Sequence, residues 1–277
     1  MHRQSVYAAG VGVSVTILAS GSGGNCSVVA SSGTRLLIDA GLSCREICRR
    51  LAVGGFAPES LDGVLITHEH ADHVAGLYVF AKKFSVPVYM TEVTHHAWVR
   101  QYKTSNGERV KAEKVETFHS GHRFRVGNIE VTPFTIPHDA ADPVGFTFQT
   151  EGIKLGFVTD LGYMPASIKM HLKSCDGLIL ESNHDLEMLR VGPYPWSVKQ
   201  RVMSRVGHLS NDALAEFLAT DYDGSAAFLI LAHLSEANNH PEIARTAAER
   251  ALAERLTLLH NRVMLARQDE PLSTVTL

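Results

Sequence analysis

Only four cysteines occur in 277 residues, Cys26, Cys44, Cys48 and Cys175, and no two stand in a CxxC spacing. This excludes a disulfide framework and a cysteine zinc knuckle, and it fits reduced thiols in a cytoplasmic setting. Cationic excess is also missing: 26 Lys and Arg stand against 29 Asp and Glu, a formal charge of -3. No global field draws the chain to nucleic acid, so binding a polyanion would need a local patch. No apolar run reaches the roughly 20 residues of a membrane span. Neither a repeat of solenoid period nor a low-complexity linker interrupts the chain. What remains is ordinary for a globular protein, 45% apolar and 20% charged residues, in a chain long enough for a substantial core.

The N-terminal 24 residues offer an early arginine, an apolar run and small residues, as a secretory signal would. Glycines and hydroxyl residues break that run, and "VSVTILA" has the β-branched content of a strand. It is expected to turn through "SGSGGNC" into a second strand, "SVVAS". Further strands are predicted over 34–40, 63–68, 87–90, 128–134, 144–150, 154–160, 176–182 and 226–235. Helical patterns fall over 43–51, 72–84, 212–219 and 241–256. The alternation points to a layered α/β protein, read as one domain over 1–277. Several predicted strands end in a polar residue able to bind metal: "LITH" in His68, "FVTD" in Asp160, "LILAH" in His233 and "DGLILE" in Glu181. Strand ends are rigid, and such ends could converge on one site.

The densest signal is "THEHADH", with three histidines and two carboxylates between His68 and His73. On a turn leaving a strand, His68 and His70 can face one way while Asp72 and His73 face another. One segment could then feed two neighbouring metal ions. This HxHxDH pattern resembles the metallo-β-lactamase-fold hydrolases. Their later histidine, aspartate and histidine have matches here in His138 of "PHDAADP", Asp160 and His233. The resemblance spans nearly the whole chain and implies a four-layer αββα sandwich holding two divalent ions, zinc or manganese. It implies His68, His70 and His138 on one ion, with Asp72, His73 and His233 on the other and Asp160 bridging. Asp39 of "LLIDAG" matches the family's early aspartate, which orients a ligand histidine. His119, His122 and His184 are alternatives to His138 by sequence alone. Two such ions, about 3.5–4 Å apart, lower the pKa of a shared water from 15.7 towards about 7.

That set is common to many hydrolases, so the reaction must be read outside it. Glu181 in "LESNHD" and His208 in "GHLSNDALAEFL" resemble the glutamate–histidine pair of the phosphodiesterase branch that includes tRNA 3′-processing ribonuclease. A carboxylate beside a histidine favours its protonated form, so His208 could protonate a departing oxygen. Asp72, Glu181 and His208 are the candidate catalytic residues. Whether Asn183 and His184 join the site is left open. "ASGSGGNC", "THEHADHVAGL", "GPYPWSVKQRV" and "HLSEANNHPE" further resemble the YycJ/WalJ-like group. That group implies DNA exonuclease activity, of 5′ to 3′ polarity. The alternatives are a small-molecule esterase or cyclic phosphodiesterase of the same fold, and a catalytically silent metal-binding partner protein.

Residues 100–125 hold seven Lys and Arg against three Glu, either a phosphate-binding patch or a solvated mixed surface. Tyr194 and Trp196 stand beside Lys199 and Arg201. Trp196 is expected to be buried, with a base-stacking platform as the other reading.

Overall fold

The computed structural model describes residues 12–253 and 262–277. One sheet contains β1 (Ser14–Ala19), β2 (Cys26–Ala30), β3 (Arg35–Ile38), β4 (Gly63–Leu65), β5 (Val88–Thr91) and β6 (Val115–Phe118), in that order. The second runs from β7 (Phe124–Val126) through β8 (Ile129–Thr135), β9 (Val144–Thr150), β10 (Ile153–Val158), β11 (Gly177–Glu181) and β12 (Phe228–Ala232) to β13 (Arg262–Leu265). The chain then returns to the first sheet, where β14 (Val275–Thr276) lies beside β1. Each sheet begins with antiparallel neighbours and continues with parallel ones, β3 to β6 and β10 to β13. Parallel neighbours require crossovers, and helices supply most of them.

Alternation along the strands explains the four layers. Val15 and Ile17 of β1 join Ile179 of β11 and Ile230 of β12 in the core between the sheets. Leu178, Leu180, Leu229 and Leu231 face the other way, beneath helices Ala166–Leu172, Asn211–Thr220 and Pro241–Ala253. Leu37, Val64 and Val88 likewise meet helices Cys44–Val53 and Leu77–Phe84 on the opposite outside. Strands covered on both faces read as continuous apolar runs, as "FLILA" does. The result is the expected αββα sandwich.

The strand run "VSVTILA" therefore lies in the sheet, and the first 11 residues of the export reading lie outside the described residues. The predicted helix over 241–256 also extends outside them, beyond Ala253. The helix expected over 72–84 is two helices, Ala71–Val74 and Leu77–Phe84. The break is at Gly76, where an added Cβ would stand 2.0 Å from the carbonyl oxygen of Leu42. That close approach packs the first helix against the loop after β3. No helix among the described residues is long and apolar enough to cross a membrane.

Candidate metal centre

The carboxyl ends of parallel strands from both sheets meet at one edge of the sandwich, which is where open α/β sheets present their chemistry. Asp39 follows β3, His68 follows β4, Asp160 follows β10 and His233 follows β12, while Glu181 is the last residue of β11. Three of the residues beyond the strand ends share one backbone conformation. Asp39, Asp160 and His233 have φ of 60°, 60° and 55°. This left-handed conformation is uncommon for residues bearing a Cβ, and it turns each side chain off the strand direction.

Donor atoms gather there in groups whose members lie within 4.8 Å of one another. One is His68, His70 and His138; a second is Asp72, His73, Asp160 and His233; a third is Asp160, Glu181, His208 and His233. All nine residues singled out in the sequence are thus brought together. Among the described residues, His119 and His122 are in ring contact with each other, and neither they nor His184 enters a group. Asn183 has a structural part, donating from Nδ2 to the carbonyl of His233 at 2.8 Å. His184 is buried with Nδ1 unpartnered.

Two buried carboxylates, one from each sheet, hold the imidazoles. Asp39 accepts from His73 Nδ1 at 2.8 Å and from the Thr67 hydroxyl at 2.9 Å, and that hydroxyl accepts from His68 Nδ1 at 3.0 Å. Glu181 Oε1 accepts from both His208 Nδ1 and His233 Nδ1 at 2.9 Å. Its Oε2 accepts from the backbone N–H groups of Leu161 and Leu209, at 2.8 and 3.0 Å. His138 Nδ1 donates to the carbonyl of Gly207 at 3.1 Å. With Nδ1 engaged, His68, His73, His138 and His233 present Nε2 to the cluster, as a metal ligand requires.

The interior of the cluster is short of partners. His68 Nε2, His233 Nε2 and Asp160 Oδ2 are buried without a hydrogen bond. Buried polar atoms normally find partners, and unpartnered nitrogen and carboxylate oxygen atoms converging within a few ångströms fit divalent ions. The donor set contains no thiolate, which suits zinc and manganese alike.

Electrostatics divide the cluster. Burial pushes His68 well below its usual value, and the nearby His73 adds to the effect. Burial also dominates at His138 and lowers it. His73 and His233 experience the same burial, but their carboxylates outweigh it. Asp160, Asp39 and Asp72 hold His73 well above its usual value, and Asp160, Asp72 and Glu181 push His233 up to about 10. Burial of Glu181 would raise it, but His208 and His233 bring it down to about 2. The carboxylate-rich half therefore attracts positive charge, whether protons or metal ions.

Asn25, in the turn between β1 and β2, is a further residue of the site. Its Oδ1 accepts from Gly21 N at 2.9 Å, which fixes the amide orientation. Nδ2 then faces Asp72 Oδ2 at 3.2 Å and His73 Nε2 at 3.0 Å. The signal lay in "SGSGGN", but its partners stand 47 and 48 residues later. Asn25→Ala is expected to weaken binding of the second metal equivalent about 10–100-fold, by analogy with other ligand-orienting groups. Cobalt titration followed by visible absorption checks this, and an unchanged isotherm would refute it.

Trp196 corrects an expectation: it is 63% exposed, whereas Trp98 is 1% exposed. The basic stretch over 100–125 is weaker than its composition, because Arg123 and Arg125 each reach Glu130 at 3.2 Å.

Residues 34–234 match the family model of the β-lactamase superfamily domain. Exodeoxyribonuclease YycJ of Bacillus anthracis is 38% identical over 245 residues, covering 88% of this chain and 91% of that protein. Exodeoxyribonuclease WalJ of Streptococcus pneumoniae is 36% identical over 244 residues, covering 88% and 90%. Among solved structures, the metallo-β-lactamase-fold protein YhfI of Bacillus subtilis superposes with a TM-score of 0.70 at 18% identity. It covers 94% of this chain and 99% of that one.

Proposed function

The chain belongs to the β-lactamase superfamily, and from that premise we propose that it is a metal-dependent DNA exonuclease. His68, His70 and His138 hold one divalent ion in this reading. Asp72, His73 and His233 would hold the other, and Asp160, which stands among them, would serve as the bridging carboxylate that the family resemblance implies. Bound there, zinc or manganese ions supply a water of lowered pKa and Lewis acidity towards phosphoryl oxygens. The observation that carries the reading from hydrolase to phosphodiesterase is the position of His208. Its ring centroid lies 5.2 Å from that of His138 and 5.2 Å from that of His233, between the two donor groups.

Glu181 accepts a hydrogen bond from His208 Nδ1 at 2.9 Å, which leaves Nε2 free to carry a proton to the departing oxygen. Asp72 is held below the usual carboxylate range: burial would raise it, but His73 and His233 more than compensate. It stays ionised and can only accept. The helix Asn211–Thr220 begins three residues after His208, capped by Ser210 Oγ accepting from Ala213 N at 3.1 Å. The capped turn fixes the backbone that presents the imidazole. All four cysteines are free, in accord with a cytoplasmic setting.

The test is incubation with zinc or manganese and single- or double-stranded DNA and RNA, labelled at either end. Shortening of DNA from the 5′ end is the expected result. Degradation of none of them ends the exonuclease reading. Hydrolysis of bis-p-nitrophenyl phosphate alone would transfer it to small phosphodiesters, and metal uptake without any hydrolysis to a silent metal-binding protein. His208→Ala is expected to lose about 10²–10³-fold in kcat, the usual worth of a positioned proton donor. A metal-loaded variant with undiminished turnover would remove His208 from the mechanism.

A further inference from the structure

A cavity of about 460 Å³ opens between the helix Leu77–Phe84 and the hairpin that follows the helix Glu92–Gln101. Backbone bonds close the hairpin, from Thr104 N to Glu108 O at 2.7 Å and from Val110 N to Tyr102 O at 3.3 Å. Among the described residues, none that lines the cavity belongs to the donor groups of the metal centre. Ala75 and Val79, both exposed, are too small to fill the space between the two elements. Tyr78 and Tyr102 add two aromatic rings to the wall. Lys82 and Lys103 line it as well, and among the described residues neither enters an ion pair. Glu108 is the one carboxylate of the lining, so two cations stand against one anion.

Lys82 Nζ lies 5.7 Å from the centroid of the Tyr78 ring and 3.5 Å from its hydroxyl, so a cation stands directly beside an aromatic surface. Thr104 Oγ1, also in the wall, is buried without a hydrogen bond, and buried hydroxyls normally find one. The lysines would repel a metal ion. A wholly apolar molecule would leave two ammonium groups and a hydroxyl without partners. A phosphate matches the ammonium groups, a flat base matches the tyrosine rings, and Asn106 and Glu108 can bond the edges of a base or sugar. The volume falls within the roughly 300–1,000 Å³ of small-ligand sites. Phosphate, base and size together select a nucleoside monophosphate, which is also the chemical class that an exonuclease releases.

The cavity is tied to the metal-binding turn. Tyr102 Oη donates to the carbonyl of Glu69 at 3.0 Å, and Glu69 stands between His68 and His70. Glu69 Oε1 in turn accepts from Ala141 N at 2.9 Å, in the loop that follows His138. Val74 and Ala75, which line the cavity, follow directly on His73. A ligand against Tyr102 therefore bears on the backbone that carries three of the histidines. We propose that this cavity is a second nucleotide site, which takes a nucleoside monophosphate through Lys82 and Lys103 and passes its occupancy to the metal-binding turn through the Tyr102 hydroxyl. The choice of ligand rests on the exonuclease reading, since the occupant is that reaction's product. The site gives the enzyme a means of sensing what it has released.

Trp98 lines the cavity and reports its occupancy. In the full chain carrying Trp196→Phe it is the remaining tryptophan. With EDTA present, the four deoxynucleoside monophosphates are titrated against its emission, beside inorganic phosphate and 2′-deoxyadenosine. A saturable change is expected with at least one nucleotide, at a Kd about tenfold or more below those of phosphate and the nucleoside. Replacing both lysines, Lys82→Ala with Lys103→Ala, should raise that Kd about tenfold or more, and an unshifted emission maximum of the free variant verifies its fold. Cobalt titration then tests the coupling. Saturating nucleotide should change the affinity for cobalt about fivefold, and cobalt should change that for the nucleotide by the same factor. Tyr102→Phe should still bind nucleotide but lose the shift, and the lysine variant should lose it too, which excludes nucleotide acting directly on cobalt. No response to any nucleotide, phosphate binding as tightly as the nucleotides, or a Kd indifferent to the lysines overturns the site. A cobalt affinity indifferent to nucleotide overturns the coupling. Binding is read without turnover, so a protein that degrades no DNA overturns the exonuclease reading separately.

Discussion

Glu181→Gln is expected to lower turnover more than His208→Ala does, by about 10³-fold or more, and to impair metal retention as well. The carboxylate accepts four hydrogen bonds, from His208, His233, Leu161 and Leu209. Glutamine supplies one accepting oxygen and one donating NH₂, so two of those four donors would face another donor. In one orientation both imidazoles lose their acceptor; in the other the backbone of the Asp160 and His208 loops does. Leaving buried donors unpaired costs about 1–3 kcal/mol each, so the metal-free protein should lose about 3 kcal/mol in a urea melt. Single-turnover kinetics and metal content measure the rest. A double-mutant cycle with His208→Ala should be far from additive, because the two substitutions share one interaction. Full metal content together with turnover equal to that of His208→Ala would show that Glu181 serves His208 only.

The second large effect concerns a residue without a side chain. Gly41→Ala would place a Cβ 1.6 Å from the carbonyl oxygen of Asp72 and 2.8 Å from the backbone nitrogen of Asn25. Neither neighbour is a flexible side-chain tip, and both are tied down: Asn25 N donates to Asp72 O at 2.7 Å, and Gly41 N donates to Asn25 O at 2.9 Å. Three loops meet there, and one methyl group must force them apart. The expected cost is about 3 kcal/mol or more, with loss of the metal group that includes Asp72 and His73. Gly33→Ala is the control, since its Cβ would meet nothing closer than 3.9 Å, and it should shift stability by no more than about 0.5 kcal/mol. Chemical denaturation and metal analysis of both variants decide the matter. A Gly41→Ala protein with wild-type stability would mean that the three loops are not rigidly joined.

The candidate ligands were legible because a short segment held most of them and the others stood at the ends of apolar runs. Their chemistry is local to the sequence. What escaped depends on partners far along the chain. β7 and β14 are three and two residues long, and such short pieces become strands only through a neighbour. The charge of Arg125 looked available until β7 paired with β8 and set it opposite Glu130. Gly76 broke a well-patterned helix because of a carbonyl belonging to the loop after β3. Trp196 was expected inside on composition, yet exposure is decided by what packs above a residue, and nothing in "GPYPWSV" specifies that.

The left-handed backbone at Asp39, Asp160 and His233 has a consequence for how this fold would drift if its chemistry were no longer selected. Each such residue costs about 1–3 kcal/mol relative to a relaxed conformation. Glycine would remove that cost, and asparagine would reduce it. While metal and substrate must be held, neither replacement is open. Once they need not be, glycine at these three strand ends would be favoured by stability alone. An inactive descendant should therefore show small residues at positions 39, 160 and 233 before its core changes, together with a higher melting temperature than the metal-free active protein.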